Sequence, residues 1–291
     1  MHQAKRWGAT TALLLIAVPA CTSTSAPSDP PAASKPPTPA TSPDRSGFTF
    51  DLPIARYSYT EKQRTAIESA KNSLTDACMS SFGIEYRSPE TNVSLNSSDR
   101  RYGLSNATEA RQYGYHLPPD PGPAEIPDGS VKLNILFGQI KQHKGKEVPH
   151  NGCRGSSVAE LNGKFTNGKE RDTAREISVV SYEKARTDSR VTMATRSWSR
   201  CMSKLDFSYA SPQEALSDFS LENPTASVKE IKTATADVEC KKKTEFLQSW
   251  FSVESEIQEK MIRENRAALN DLLENHAQNV KIAQSVIADS R

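Results

Sequence analysis

Five cysteines carry the chemistry most directly readable in this 291-residue chain. The first, Cys21, closes the segment Ala12-Leu13-Leu14-Leu15-Ile16-Ala17-Val18-Pro19-Ala20, which stands behind the basic pair Lys5-Arg6. A charged start, a short apolar run and a small residue before the cut make an export signal. A thiol just after that cut is the nucleophile that forms a diacylglyceryl thioether. The pattern therefore reads as a bacterial lipobox, with Val18 and Ala20 in its small or apolar positions and Pro19 a less usual middle residue. The apolar run over 9–20 falls short of the roughly 20 residues that a membrane span needs, whereas two acyl chains on one cysteine hold a protein stably at a bilayer. The expectation is lipidation at Cys21, with the membrane as the partner of that lipid, and residence on the extracytoplasmic face of the cell membrane.

Cys78, Cys153, Cys201 and Cys240 remain. An even number of cysteines in an exported chain predicts two disulfides, for which three connectivities exist. A short internal repeat favours one of them. Cys78-Met79-Ser80-Ser81-Phe82-Gly83-Ile84-Glu85-Tyr86 is echoed by Cys201-Met202-Ser203-Lys204-Leu205-Asp206-Phe207-Ser208-Tyr209, and each copy is followed by one further cysteine. Pairing within each half gives Cys78 with Cys153 and Cys201 with Cys240. The element from Trp198 to Met202, with Ala236-Asp237-x-x-Cys240, resembles a group of actinobacterial, Streptomyces-type lipoproteins with paired Cys-Met elements. The resemblance covers most of the exported part and implies the same compartment and disulfides, but no activity. Asp206 departs from the glycine expected at the position equivalent to Gly83.

Catalytic and metal-binding patterns are sparse. Of the five histidines, His143 and His150 come close enough to Cys153 to suggest a metal site, and zinc requires three or four ligands at tight spacing. In an oxidising compartment the Cys153 thiol is expected in a disulfide instead, so neither metal nor cofactor is expected. No serine sits in a Gly-x-Ser-x-Gly elbow, and no cysteine is left over to pair with a histidine. Carboxylate pairs such as Glu254 with Glu256 and Glu183 with Asp188 fall on long helical stretches. There they read as a solvated face, with partners four residues on: Glu256 with Lys260, Glu259 with Arg263. Asp237, near Cys240, is the polar residue to watch, capping or pairing with a loop amide being its simplest role. Trp198, Phe246, Trp250 and Phe251 could line a groove, but facing aromatic stripes are what a helical hairpin core requires.

Composition sets the segments that carry these residues. The signal at 1–20 holds two bases and no acid, so the remainder has 35 basic against 35 acidic residues. That balance gives no expectation of nucleic acid or an anionic surface as partner. Residues 22–46 are almost entirely Ser, Thr, Pro, Ala and Asp, with seven prolines. A stretch with so little to bury stays disordered, reaching about 75 Å as a polyproline helix or about 30 Å as a coil. Residues 21–46 thus form a linker, and 47–291 an extracytoplasmic helical domain with a loop-rich half, 47–165, and a hairpin half, 166–291.

Within that domain, Thr60 and Gln63 make a capping-box start, and Ile67, Ala70, Leu74 and Cys78 recur at helical spacing, predicting a helix over 60–80. Residues 86–130 read as surface loop around one short helix near 105–113, and 131–140 is ambiguous between helix and strand. The Gly- and Pro-free stretch 171–202 predicts a helix of about nine turns. A second such stretch, 226–288, would extend about 95 Å if unbroken, so it needs a partner or a break. With Cys201 bonded to Cys240, an antiparallel pairing sets Val191 opposite Trp250, Ala194 opposite Leu247 and Val180 opposite Met261. It leaves Leu272 through Ile287 as the dock for the first helix.

The expected fold is mainly α: a long antiparallel helical hairpin, a shorter disulfide-linked helix and irregular loops. The expected function is that of a membrane-anchored binding or scaffold module that meets a cell-envelope protein or wall partner. The alternative is an envelope hydrolase with an unfamiliar site in the 86–155 loops. A solute-binding protein of two α/β lobes is disfavoured because strands and helices do not alternate.

Overall fold

The computed structural model describes residues 40–41, 48–89, 99–118, 130–163 and 168–290. The chain divides into two units, Met1–Lys35 and Pro36–Arg291, and every described residue belongs to the second. The expected signal over 1–20 and Cys21 lie outside the described residues, as does the expected linker apart from Ala40–Thr41, which pairs antiparallel with Phe48–Thr49.

The domain is mainly helical. A 3-10 turn, Pro53–Tyr57, leads into α1, Glu61–Ser81. Three short helices follow, α2 (Ala107–Tyr113), α3 (Val131–Phe137) and α4 (Gly152–Asn162). The hairpin half holds α5 (Lys169–Thr187), α6 (Ser189–Ser203), α7 (Pro212–Ser217), α8 (Val228–Lys243), α9 (Phe246–Glu264) and α10 (Arg266–Asp289).

The capping box at α1 forms as its sequence dictates: Gln63 N donates to Thr60 Oγ1 at 3.3 Å, and Thr60 N donates to Gln63 Oε1 at 2.9 Å. The ambiguous 131–140 stretch is helical over Val131–Phe137, started by Ser130 and stopped by Gly138 in a left-handed conformation. It leads to an antiparallel pairing of Gln142–His143 with Lys146–Glu147.

Both long helices are divided. The 171–202 stretch breaks at Asp188, whose extended backbone lets its carboxylate cap α6 by accepting from Arg190 N at 2.8 Å. Thr187, Asp188 and Ser189 offer side-chain oxygens that compete with the helix backbone. No glycine or proline is needed. The 226–288 stretch breaks twice, at Glu245 in a left-handed conformation and at Asn265.

The arms are nevertheless antiparallel. α6 packs on α8 and α9, and α5 on α9 and α10. Val191, Ala194, Leu247 and Trp250 share one buried cluster. One expected contact is replaced: Ile177, not Val180, is buried with Ile262, Leu269 and Leu272, and Met261 packs beside them. α1 docks on α10 at the uncovered end, where Ala70, Leu161 and Ala283 are buried among Ile67, Leu74 and Val286. The pairings are Cys78–Cys153, joining α1 to α4, and Cys201–Cys240, joining α6 to α8.

The largest correction concerns residues 99–115, expected on the surface. Tyr102, Leu104, Ala110 and Tyr115 are each at most 3% exposed and belong to the main core. The loop-rich half sends a segment into the hairpin half.

Candidate functional site

That inserted segment meets the hairpin at two buried polar knots. The first centres on Glu254 of α9, which is fully buried. Arg101 donates to both carboxylate oxygens, with Nε at 3.1 and 3.0 Å, and Tyr102 OH donates to Oε2 at 2.8 Å. Ser181 Oγ and Gln258 Nε2 donate to Oε1 at 2.9 and 3.1 Å. Arg101 also reaches the main-chain oxygen of Ser178 at 2.6 Å and lies over the Tyr182 ring. Gln258 Oε1 accepts from Ile54 N at 3.0 Å. One carboxylate thereby ties the 3-10 turn, the inserted segment, α5 and α9 together. Burial, and then the Glu254 charge, push the Tyr102 phenol far above its ordinary range.

The second knot is Asp237 of α8, also fully buried. Its Oδ2 accepts from Lys241 Nζ at 2.9 Å and its Oδ1 from Trp198 Nε1 at 2.9 Å. Lys241, 1% exposed, spends a second proton on the main-chain oxygen of Leu104 at 2.9 Å. Burial raises the Asp237 carboxyl above its usual range, against the pull of Lys241 and Trp198. Gly103 lets the inserted backbone come this close, since its φ is +85° and a Cβ there would stand 2.9 Å from Lys241 Nζ. Asp237 neither caps a helix nor holds a loop amide. It partners an ammonium and an indole in the core.

A carboxylate–imidazole pair lies at the edge of the same core. His116 Nδ1 is 2.9 Å from Glu230 Oε1, as a general base and its orienting acid would be. The other ring nitrogen faces the main-chain oxygen of Asn223 at 2.9 Å, which has no proton to give. Among the described residues, what meets Nε2 is this carbonyl oxygen and not a hydroxyl or thiol.

The other residues singled out by sequence are placed as follows. Cys153 is bonded to Cys78, so it has no thiolate to join His143 and His150 on a metal, and His150 Nδ1 faces Asn151. Trp198, Phe246, Trp250 and Phe251 are buried and pack as core, with Tyr102 stacked on Trp250 at 5.2 Å. The solvated-face reading fails for Glu254, while Glu256 and Glu259 pair across elements with Arg190 and Arg56 rather than along α9. Asp188 pairs with Arg190 and Glu183 with Arg186. A hollow lined by Thr60, Glu61, Lys62, Thr65 and Ala66 is open to solvent at the start of α1. Arg101, Tyr102, Ser181, Gln258 and Lys241 were not anticipated, though charged and amide residues four apart in the apolar stripe, Asp237 with Lys241 and Glu254 with Gln258, were a usable signal.

Compared with protein-family models, curated proteins and solved structures, the chain matches none.

Proposed function

We propose that this chain is an extracytoplasmic lipoprotein, anchored through a thioether at Cys21, whose helical domain serves as a non-enzymatic binding or scaffold module of the cell envelope. The observation that carries the anchor is the order Lys5-Arg6, apolar run, Ala20, Cys21. The linker supplies a reach of tens of ångströms from the bilayer. What supports a binding role rather than turnover is the use made of the buried charges: Glu254, Asp237, Lys241 and Glu230 are each engaged by partners within the fold. A catalytic acid or base must instead present itself to a reactant.

The anchor is tested by growth with labelled palmitate. The wild-type precursor takes up label and is processed, and Cys21→Ser does neither, because thioether formation requires the thiol. Label in the Ser variant would overturn the anchor. The binding role is tested by crosslinking in living cells. A specific protein or wall adduct supports it, and turnover of wall-derived substrate by the purified protein, lost on changing one acid or histidine in 86–155, would replace it with the hydrolase reading.

A further inference from the structure

Both nitrogens of the His116 ring face acceptors. Nδ1 lies 2.9 Å from Glu230 Oε1, and Nε2 lies 2.9 Å from the main-chain oxygen of Asn223. A neutral imidazole carries one N–H and an imidazolium two, so only the charged ring donates to both. Glu230 is 3% exposed and its Oε1 also accepts from Tyr115 N at 2.9 Å. The ring is therefore held against a rigid, buried carboxylate at one end.

At the other end the chain is loosely held. Residues 220–225 are all exposed. Among the described residues, the His116 contact is the one hydrogen bond that joins 220–226 to a distant part of the molecule, and the Asn223 side chain reaches only Ser220 O, at 3.4 Å.

We propose that His116 is a proton-operated clasp that fastens the 220–226 segment to the first turn of α8 while the ring is doubly protonated and releases it when the ring loses a proton. The side that opens follows from the partners. The bond to Glu230 is assisted by the carboxylate charge, so the neutral ring keeps its proton on Nδ1. The Nε2 lone pair then faces the Asn223 carbonyl lone pairs at 2.9 Å, and that contact is repulsive.

Other charged and ionisable groups surround the ring. Arg100 donates to the main-chain oxygens of Tyr115 and His116 at 2.6 and 3.0 Å and pairs with Glu109 of α2 at 3.0 Å. Burial, then the Asp237 charge, keep the Tyr115 phenol neutral well beyond its ordinary range. At the base of the segment Asp218 and Lys229 pair at 2.9 Å. Lys229 holds Asp218 below its usual range and Asp218 holds Lys229 above its own, so this tie stays charged throughout. Leu117, Leu221 and Val228, 66%, 50% and 72% exposed, flank the clasp in sequence.

The test is nitrogen-15 relaxation on the full chain across a pH series, with the His116 imidazole nitrogen resonances reporting the protonation of the ring at each pH. Order parameters of residues 221–223 and 225 should be about 0.8 while the ring carries both protons and fall below about 0.6 once it has lost one, while those of α8 stay constant. His116→Phe should show the loose segment at every pH. Asn223→Ala keeps the main-chain oxygen and should behave as wild type, and it serves as the second variant if the Phe substitution unfolds. Equal order in the two protonation states, a ring that never changes protonation while the chain stays folded, a single N–H on the ring in the ordered state, a pH effect that survives in His116→Phe, or its loss in Asn223→Ala would each overturn the clasp.

Discussion

The two Cys-Met elements end their helices in the same way and rest on different interiors. In the first, Phe82 N and Ile84 N both donate to Met79 O, at 3.0 and 3.2 Å, with Gly83 left-handed at φ +70°. In the second, Leu205 N and Phe207 N donate to Met202 O, at 2.9 and 3.1 Å, with Asp206 left-handed at φ +63°. Met79 and Met202 are both fully buried, and each preceding cysteine crosses to another helix. Beneath the first lies a small cluster of Met79, Phe82, Ile135, Leu136, Val148 and Cys153. Beneath the second lies the aromatic core with the Asp237 knot. A short motif can thus set a local ending and a covalent cross-link while leaving the surrounding core to carry unequal shares of the stability.

Removing the two disulfides is the strongest way to probe that inequality. In the chain-entropy model, a loop of 75 residues gives about 4.5 kcal/mol and one of 39 about 3.9. The nearly equal costs should fall differently. Cys78→Ala with Cys153→Ala should free α3 and α4 while α5–α9 persist, because the small cluster has little else to hold it. Cys201→Ala with Cys240→Ala should lower global stability yet leave α6 packed on α8 through Trp198 and Asp237. Denaturant melts with amide exchange distinguish these outcomes, and uniform loosening in both variants would break the comparison.

Lys241→Met should come next, at about 3 kcal/mol, because it leaves the buried Asp237 carboxyl and the Leu104 carbonyl without their ammonium donor. Asp237→Leu combined with Lys241→Met should recover much of that loss, and a double-mutant cycle in urea reads the coupling. A matching effect is not expected in the first cluster, whose buried residues are all apolar.

High pH should also act on the second interior first. Tyr102 and Tyr115 are buried there, and both phenols are raised far above their ordinary range, chiefly by burial. Above about pH 10 the unfolded chain loses these protons and the folded one keeps them, so stability is intact below that pH and lost above it. For two such groups the slope is about 2.7 kcal/mol per pH unit. Chemical melts between pH 9 and pH 11 should show it, and Tyr102→Phe should reduce the slope by about 1.4 kcal/mol per pH unit.

What sequence made legible was what repeats or is periodic. The capping box of α1, the two arms and the dock on α10 follow from apolar spacing, and the disulfide pairing follows from the echo. Asp237 stood out because it lies close to Cys240, the partner of the cysteine in the second copy. The helix breaks at Asp188, Glu245 and Asn265 were illegible as chain-length limits, because each is made by one side chain or one left-handed residue rather than by glycine or proline. The inserted segment was misjudged because polar composition between 86 and 130 suggested solvent. Tyr102 and Leu104 lie among arginine, glycine and serine, and their burial depends on Glu254 and Lys241, more than 130 residues away.

The smallest predicted effect tests the equivalence of the two helix ends most directly. Gly83 has positive φ and nothing within 4 Å of where a Cβ would stand, so Gly83→Ala adds no clash and isolates the backbone cost of a left-handed L-residue, about 1 kcal/mol. Asp206 already bears that cost, reduced because aspartate tolerates this conformation better than most residues, and its carboxyl has no hydrogen-bond or ion-pair partner among the described residues. Asp206→Gly should therefore stabilise, by about 0.5 kcal/mol, since relief of the left-handed strain is partly offset by the greater freedom of glycine in the unfolded chain. Paired urea melts of the two variants should move in opposite directions. If Asp206→Gly destabilised instead, the carboxyl itself would have a role at the surface beside Cys201, and the two ends would share a backbone path without sharing a reason for it.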